Sequence, residues 1–192
     1  MSTQQATVNK QNFSTRTLIS MALFAAILCI SAYISIPLPL PGSPHLTLLN
    51  FVILLVALLF PLQQSFLIVL VWMLLGAIGL PVYIAGASGF GYLIAPWGGY
   101  TMTFLLVSLL LPLIRGKKFS RVRYTAASVT GVLVIDLLGM LWLKAASGDA
   151  YSWATAFSIG FLAFLPLDLI KAIVVVQIIP AFRRIMPPED RK

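Results

Sequence analysis

Long stretches of this chain carry no formal charge at all, and that feature limits what it can fold into more than any other. Between Arg16 and Arg115 there is no Lys, Arg, Asp or Glu, and the intervening 98 positions are dominated by Leu, Ile, Val, Ala and Phe. Of the 192 residues, 60% are hydrophobic and 9% are charged, and the mean hydropathy is +1.00. A soluble domain is about half apolar and about a quarter charged. A water-facing fold has no way to hide so much apolar surface, so the solvent for most of the chain is lipid. The predicted class is all-α, an integral membrane bundle of six transmembrane helices.

Prolines, glycines and polar turns set the predicted boundaries. A polar N-terminal tail covers residues 1–16. The first span covers 17–36 and is stopped by Pro37, Pro39 and Pro41. The second covers 46–60, short for a bilayer core about 30 Å thick, and Pro61 breaks it. The third runs to Leu80, followed by a Gly-rich stretch from Pro81 to Gly99. The fourth covers 98–114 and the fifth 124–143. Proline suits the first position of a helix and is costly inside one, so the sixth begins at Pro166 and ends near Phe182. Residues 151–165 then cap the outer end of the bundle. The six-helix unit occupies 17–185, and a short tail follows at 186–192. The first apolar run lacks a small-residue cleavage site and reads as a retained helix, not a signal peptide. No internal repeat is evident.

The net charge of +8 is gathered at Lys10 and Arg16, at Arg115 to Arg123, and at Arg183 to Lys192. The 115–123 loop holds five basic residues and no acid. Cationic loops stay on the cytoplasmic side of a membrane, so both termini are expected inside. A basic nucleic-acid surface interleaves cations with aromatics on a polar face, and this chain has none. Cys29 is the single cysteine, which excludes an internal disulfide and a cysteine-based metal site. There is no phosphate-binding G-x-x-x-x-G-K-[ST] loop, no H-E-x-x-H pair, and only one histidine. An enzyme is not expected, and neither a cofactor nor a metal.

Ionisable groups at membrane depth are expensive and mark functional positions. Asp136, Asp168 and Lys171 stand out. Asp168 and Lys171 are three residues apart and share one helical face, and all three fall in the outer half of the bundle. The bland use of Lys171 is a structural ion pair with one Asp, yet one lysine cannot neutralise two carboxylates, so a polar ligand completing the cluster is the simpler reason to keep it. Gly86, Gly89 and Gly91, with Tyr83, Ser88, Trp97 and Tyr100, make the Gly-rich stretch a candidate lid whose backbone can approach a ligand closely. Asn50 is placed to bond a ligand or another helix, and Thr47 to bond a ligand or cap its helix. His45 is expected in solvent, and Trp72, Trp142 and Trp153 as interface anchors. Ala22 and Ala26 give a small-xxx-small spacing that allows close helix approach.

Several of these segments resemble one family. Gly76-Ala-Ile-Gly-Leu-Pro-Val-Tyr83, the following glycines and Pro96-Trp-Gly-Gly-Tyr100 look like the region between the third and fourth helices of biotin-specific S components of energy-coupling factor (ECF) vitamin transporters. Phe164-Leu-Pro-Leu-Asp-Leu-Ile-Lys171 resembles the start of that family's sixth helix, and Pro44-His-Leu-Thr-Leu48 its entry to the second. Ala22-x-x-x-Ala26 is similar to the motif by which S components dock on a membrane partner. The resemblance spans residues 17–185. It implies a multi-pass protein of a prokaryotic cell membrane that takes biotin from outside. A transmembrane coupling protein and two ATPase subunits would supply the energy. It further implies that Asp168 and Lys171 hold polar groups of the ligand and that Thr47, Tyr83 and Tyr100 line the pocket. Leu49 stands where the family has Gln, Trp97 where it has Thr, and Asp136 where an uncharged residue is expected. A more apolar site of this kind also fits an acyl-tailed cofactor such as lipoate, although lipoate would leave Asp136 unexplained. The rival from a different class is a proton-coupled solute carrier with Asp136 and Asp168 as relays.

Overall fold

The structure is a computed structural model that describes residues 13–186. The parts of the terminal tails at 1–12 and 187–192 therefore lie outside the described residues. The chain is mostly helical: α1 (Thr15–Ser31), α2 (Leu49–Leu59), α3 (Leu62–Ala77), a short α4 (Phe90–Ile94), α5 (Gly98–Arg115), α6 (Arg121–Ser147), a short α7 (Trp153–Phe157) and α8 (Leu165–Ile185). Three segments are long and apolar enough to cross a membrane: Gly98–Arg115, Arg121–Ala150 and Trp153–Ile185. Three shorter apolar helices, α1, α2 and α3, accompany them.

α2 is the hub. Nine of its eleven residues are buried, and it packs on α1, α3, α5 and α8. A helix that is apolar on every side belongs inside a bundle. At 1.5 Å per residue it is only about 16 Å long, shorter than the expected second span. The missing length is extended chain. Ser35–Pro37 (β1) and His45–Thr47 (β2) form an antiparallel pair with Ile36 opposite Leu46. The expected first helix is correspondingly cut short, ending at Ser31 and not at Ile36. It also begins earlier, at Thr15, where the Ser14 hydroxyl accepts the Thr17 N–H at 3.2 Å.

The hairpin turns through Gly42 (φ 77°) and Ser43 (φ 44°), with Leu38 N–H bonded to the Pro44 carbonyl at 2.8 Å. Left-handed backbone at two successive positions demands a residue without a Cβ at one of them, and Gly42 supplies it. The hairpin leans across one end of the bundle. A Cβ at Gly42 would lie 2.6 Å from the Tyr151 hydroxyl and 3.3 Å from the Trp97 ring.

α5 and α6 form the largest helix pair and α8 closes on α6 and α2. Close approach depends on small residues. A Cβ on Gly99 would fall 2.3 Å from Trp142, and one on Gly131 2.9 Å from Leu111. Between α7 and α8 the chain makes a π-helical turn at Ser158–Leu162, so the expected cap at 151–165 is largely helical and runs on into α8 as one apolar stretch, Trp153–Ile185. Pro166 sits in the first turn of α8, where its missing N–H costs nothing.

α5 is about 27 Å long, and its far end gathers the basic residues. Arg115 is buried, donating to the Phe60 carbonyl and the Tyr124 hydroxyl, each at 2.8 Å. Arg115 and Arg183 flank the Tyr124 ring at 5.7 and 5.6 Å from its centre.

Candidate functional site

The hairpin, the Gly-rich segment and the ends of α5 and α8 meet around a cavity of about 310 Å³. Ligand pockets for small molecules run from about 300 to about 1,000 Å³. Gly42, Ser43, Pro44 and His45 of the hairpin form its roof. Trp97, Tyr100, Phe104 and Phe164 make an aromatic wall. Thr47, Asn50 and Asp136 provide the polar surface, and Ile84 and Tyr92 complete the lining.

The aromatic wall is tightly fixed. Trp97 stacks on Tyr100 with ring centres 5.8 Å apart, and Phe164 meets Trp97 and Tyr100 edge-on at 6.3 and 5.7 Å. The Tyr100 hydroxyl donates to the Gly160 carbonyl at 2.5 Å, so the π-helical turn anchors the ring. Gly139 leaves room for it: a Cβ there would lie 2.2 Å from the Tyr100 ring.

Behind Thr47 and Asn50 lies a closed polar knot. Lys171 Nζ pairs with Asp168 Oδ1 at 2.7 Å and also donates to the Thr47 carbonyl at 2.8 Å. The Asn50 amide donates to Asp168 Oδ2 at 2.7 Å, and the Thr47 hydroxyl lies 3.4 Å from Asn50 Oδ1. Asp168 stands in the first turn of α8, where the helix dipole favours a negative charge. Both its oxygens are satisfied and its charge is matched. Asp136 differs. It is 1% exposed, it faces the cavity, and neither of its oxygens has a hydrogen-bond partner among the described residues.

Of the residues expected at a site, Thr47, Asn50, Trp97, Tyr100 and Asp136 line the cavity, and Asp168 and Lys171 stand directly behind it. Tyr83 does not reach it. Its ring is fully buried between Trp72 and Tyr92, and its hydroxyl donates to the Met73 carbonyl at 2.5 Å. Gly86 packs toward the Tyr33 ring and Ser88 is exposed, both away from the lining. Ala22 and Ala26 are exposed together on α1, beside the exposed Leu18, Leu23 and Ile30.

Two further expectations need correction. His45 is not free in solvent; it lines the cavity roof, with Nδ1 3.3 Å from Ser35 Oγ. Trp72 is no interface anchor: it is completely buried, its indole N–H bonded to the Val82 carbonyl at 3.0 Å. Trp142 is partly buried and donates to the Ala95 carbonyl at 3.1 Å, whereas Trp153 is exposed as an anchor would be. Ser43, Tyr92, Phe104 and Phe164 were missed. For Ser43 the available signal was the Pro-Gly-Ser-Pro turn; the aromatics looked like ordinary core.

A family model described as the BioY family matches residues 4–188. The chain belongs to the BioY family. It is 32% identical over 166 residues to the biotin transporter BioY2 of Lactococcus lactis subsp. cremoris, covering 86% of this chain and 88% of that one. It is 36% identical over 159 residues to the biotin transporter BioY of Thermotoga maritima, covering 83% and 90%. The fold of this BioY chain is similar to the crystal structure of the S-component for biotin from an ECF-type ABC transporter, with a TM-score of 0.79 at 24% identity, over 90% of this chain and 95% of that one. As a BioY protein with these apolar helices, the chain is an integral protein of the plasma membrane.

Proposed function

We propose that this BioY protein is the substrate-binding S component of an ECF-type uptake transporter and that its ligand is biotin. It is a transporter component and not an enzyme, as its BioY relatives indicate. The observation that carries the ligand reading is the cavity itself. Its aromatic wall suits an apolar ring and acyl tail, and beside that wall stand the polar groups of Asn50, Thr47 and Asp136. Pockets of this composition hold small molecules, with a few polar groups fixing orientation.

Biotin's ureido group offers N–H donors and a carbonyl acceptor. Asp168 accepts the first, Lys171 donates to the second, and Asn50 and Thr47 present the edge of the same knot to the ligand. Within the knot these side chains satisfy one another, so a bound ligand exchanges bonds without exposing a bare charge. Lys171 is therefore better suited to a ligand carbonyl next to Asp168 than to a distant ligand carboxylate.

The six helices of eleven residues or more among the described residues each act as a span in this reading. The basic 115–123 loop and the Arg183 end face the cytoplasm, the hairpin faces outward, and both termini lie inside. ATP hydrolysis is supplied by two ATPase subunits through a transmembrane coupling protein that docks at Ala22 and Ala26. Mass spectrometry of the small molecule copurifying with the protein, followed by calorimetric titration with biotin and with lipoate, tests the ligand. Recovery of lipoate, or no heat with biotin, overturns it. Uptake into vesicles driven by a pH gradient, with no ATPase present, favours the proton-coupled carrier instead.

A further inference from the structure

The proposed contacts to biotin leave one group unused. Lys171 neutralises Asp168, so the knot is electrically balanced. Asp136 then stands as a carboxyl group without a partner among the described residues, on a wall with Phe104, Tyr100 and Phe164. No Lys or Arg lines the cavity among the described residues, and the one basic side chain that does, His45, belongs to the roof. On α6, Asp136 lies eleven residues before the Ser147 end, about 16 Å along the axis, so it is set deep. A buried carboxyl keeps a charge only where a partner matches it, and with both oxygens open the space in front of Asp136 is complementary to a group with several charged N–H donors. The Trp97 and Tyr100 faces beside it also attract a cation.

We infer that the cavity receives ligands whose buried head carries an ammonium group, namely amine-headed carboxylic acids with the ring and tail of biotin, with Asp136 as the residue that selects them. This rests on the reading of the cavity as a biotin site, and it goes beyond that reading by adding a second, cationic ligand class. An ammonium donates to both Asp136 oxygens and neutralises the site. A ureido head brings no charge with which an ionised Asp136 could pair.

The test uses the full chain in lipid nanodiscs, titrated with biotin and with the diamine made by removing biotin's ureido carbonyl, which keeps ring and tail but bears ammonium. The wild-type protein is expected to bind the diamine within about tenfold of biotin. Asp136→Asn is expected to weaken the diamine at least a hundredfold more than it weakens biotin, with thermal unfolding confirming that the variant is folded. As a measurement independent of any variant, acetylating both amines removes the charge and is expected to abolish the diamine's binding. Wild-type protein that binds biotin but not the diamine overturns the inference. So does an Asp136→Asn variant that loses both ligands equally, or undiminished binding of the acetylated compound. Binding of the diamine without biotin overturns the biotin reading and leaves Asp136's role standing, whereas binding of neither overturns both.

Discussion

The Asn50 amide donates to the Asp168 carboxylate at 2.7 Å, joining residues 118 positions apart. That bond ties the central helix α2 to the start of α8 and holds Asn50 at the cavity surface. Because Lys171 neutralises the same carboxylate, removing the lysine has two effects. Lys171→Ala leaves Asp168 buried and unmatched, which costs about 3–5 kcal/mol, and it removes the proposed donor to the ligand. The variant is expected to unfold at a lower temperature and to show no biotin binding by calorimetry. Lys171→Met combined with Asp168→Leu is expected to regain the thermal stability and not the binding. Full binding by Lys171→Ala would remove the knot from the site.

Gly139 reserves the space occupied by Tyr100. Gly139→Ala overpacks this contact at a cost of about 1–3 kcal/mol and pushes the ring into the cavity. Both thermal stability and ligand affinity are expected to fall. Gly91→Ala meets no atom within 4 Å and is expected to change neither. Equal behaviour of the two variants would show that the aromatic wall is not fixed from behind.

Trp97 contributes a face to the cavity and contacts both Tyr100 and Phe164. Aromatic contacts are worth about 0.5–1.5 kcal/mol each beyond their burial. Trp97→Ala is therefore expected to weaken biotin at least about tenfold, and ligand binding should change indole fluorescence in the wild type by more than in Trp97→Phe. An unchanged dissociation constant would place the ligand elsewhere.

Ala26→Trp enlarges an exposed position on α1 that is not part of the cavity lining. Ligand binding should persist, while copurification with the coupling protein and its ATPases should be lost. Retained association would exclude this face as the docking surface.

Arg115 fixes the opposite end of the bundle through a fork that lysine cannot reproduce. Arg115→Lys is expected to lower the unfolding temperature, with a loss of about 1–3 kcal/mol for the broken charged hydrogen bonds, and to leave biotin affinity within about twofold. A large affinity change would mean that the two ends are conformationally coupled.

The helical plan could be read from the sequence because long apolar runs punctuated by Pro61, Gly98 and Pro166 leave few alternatives. Asp136, Asp168 and Lys171 were conspicuous for the same reason, as charges are rare in such surroundings. The hairpin was not legible. Three-residue strands give too short an alternation to register, and Pro37, Pro39 and Pro41 read only as a helix stop. His45 was misplaced along with it, since its position depends on the turn at Gly42. Arg115 looked like one more loop cation, although its partners, Phe60 and Tyr124, are assembled only by the packing of α2, α5 and α6. Tyr83 looked like a lining residue because glycines surround it, yet Gly76 opens a slot that takes its ring inward.

Only residues 32–34 separate the end of α1 from the first strand of the hairpin. The same stretch holds the Gly-rich segment, with the Ala32 carbonyl accepting the Ala85 N–H and the Tyr33 hydroxyl donating to the Pro81 carbonyl. A subunit that grips α1 from the side thus grasps the handle of a lever whose other arm is the cavity's cover. Tilting that helix in the bilayer would lift or press the hairpin and the neighbouring segment as one piece.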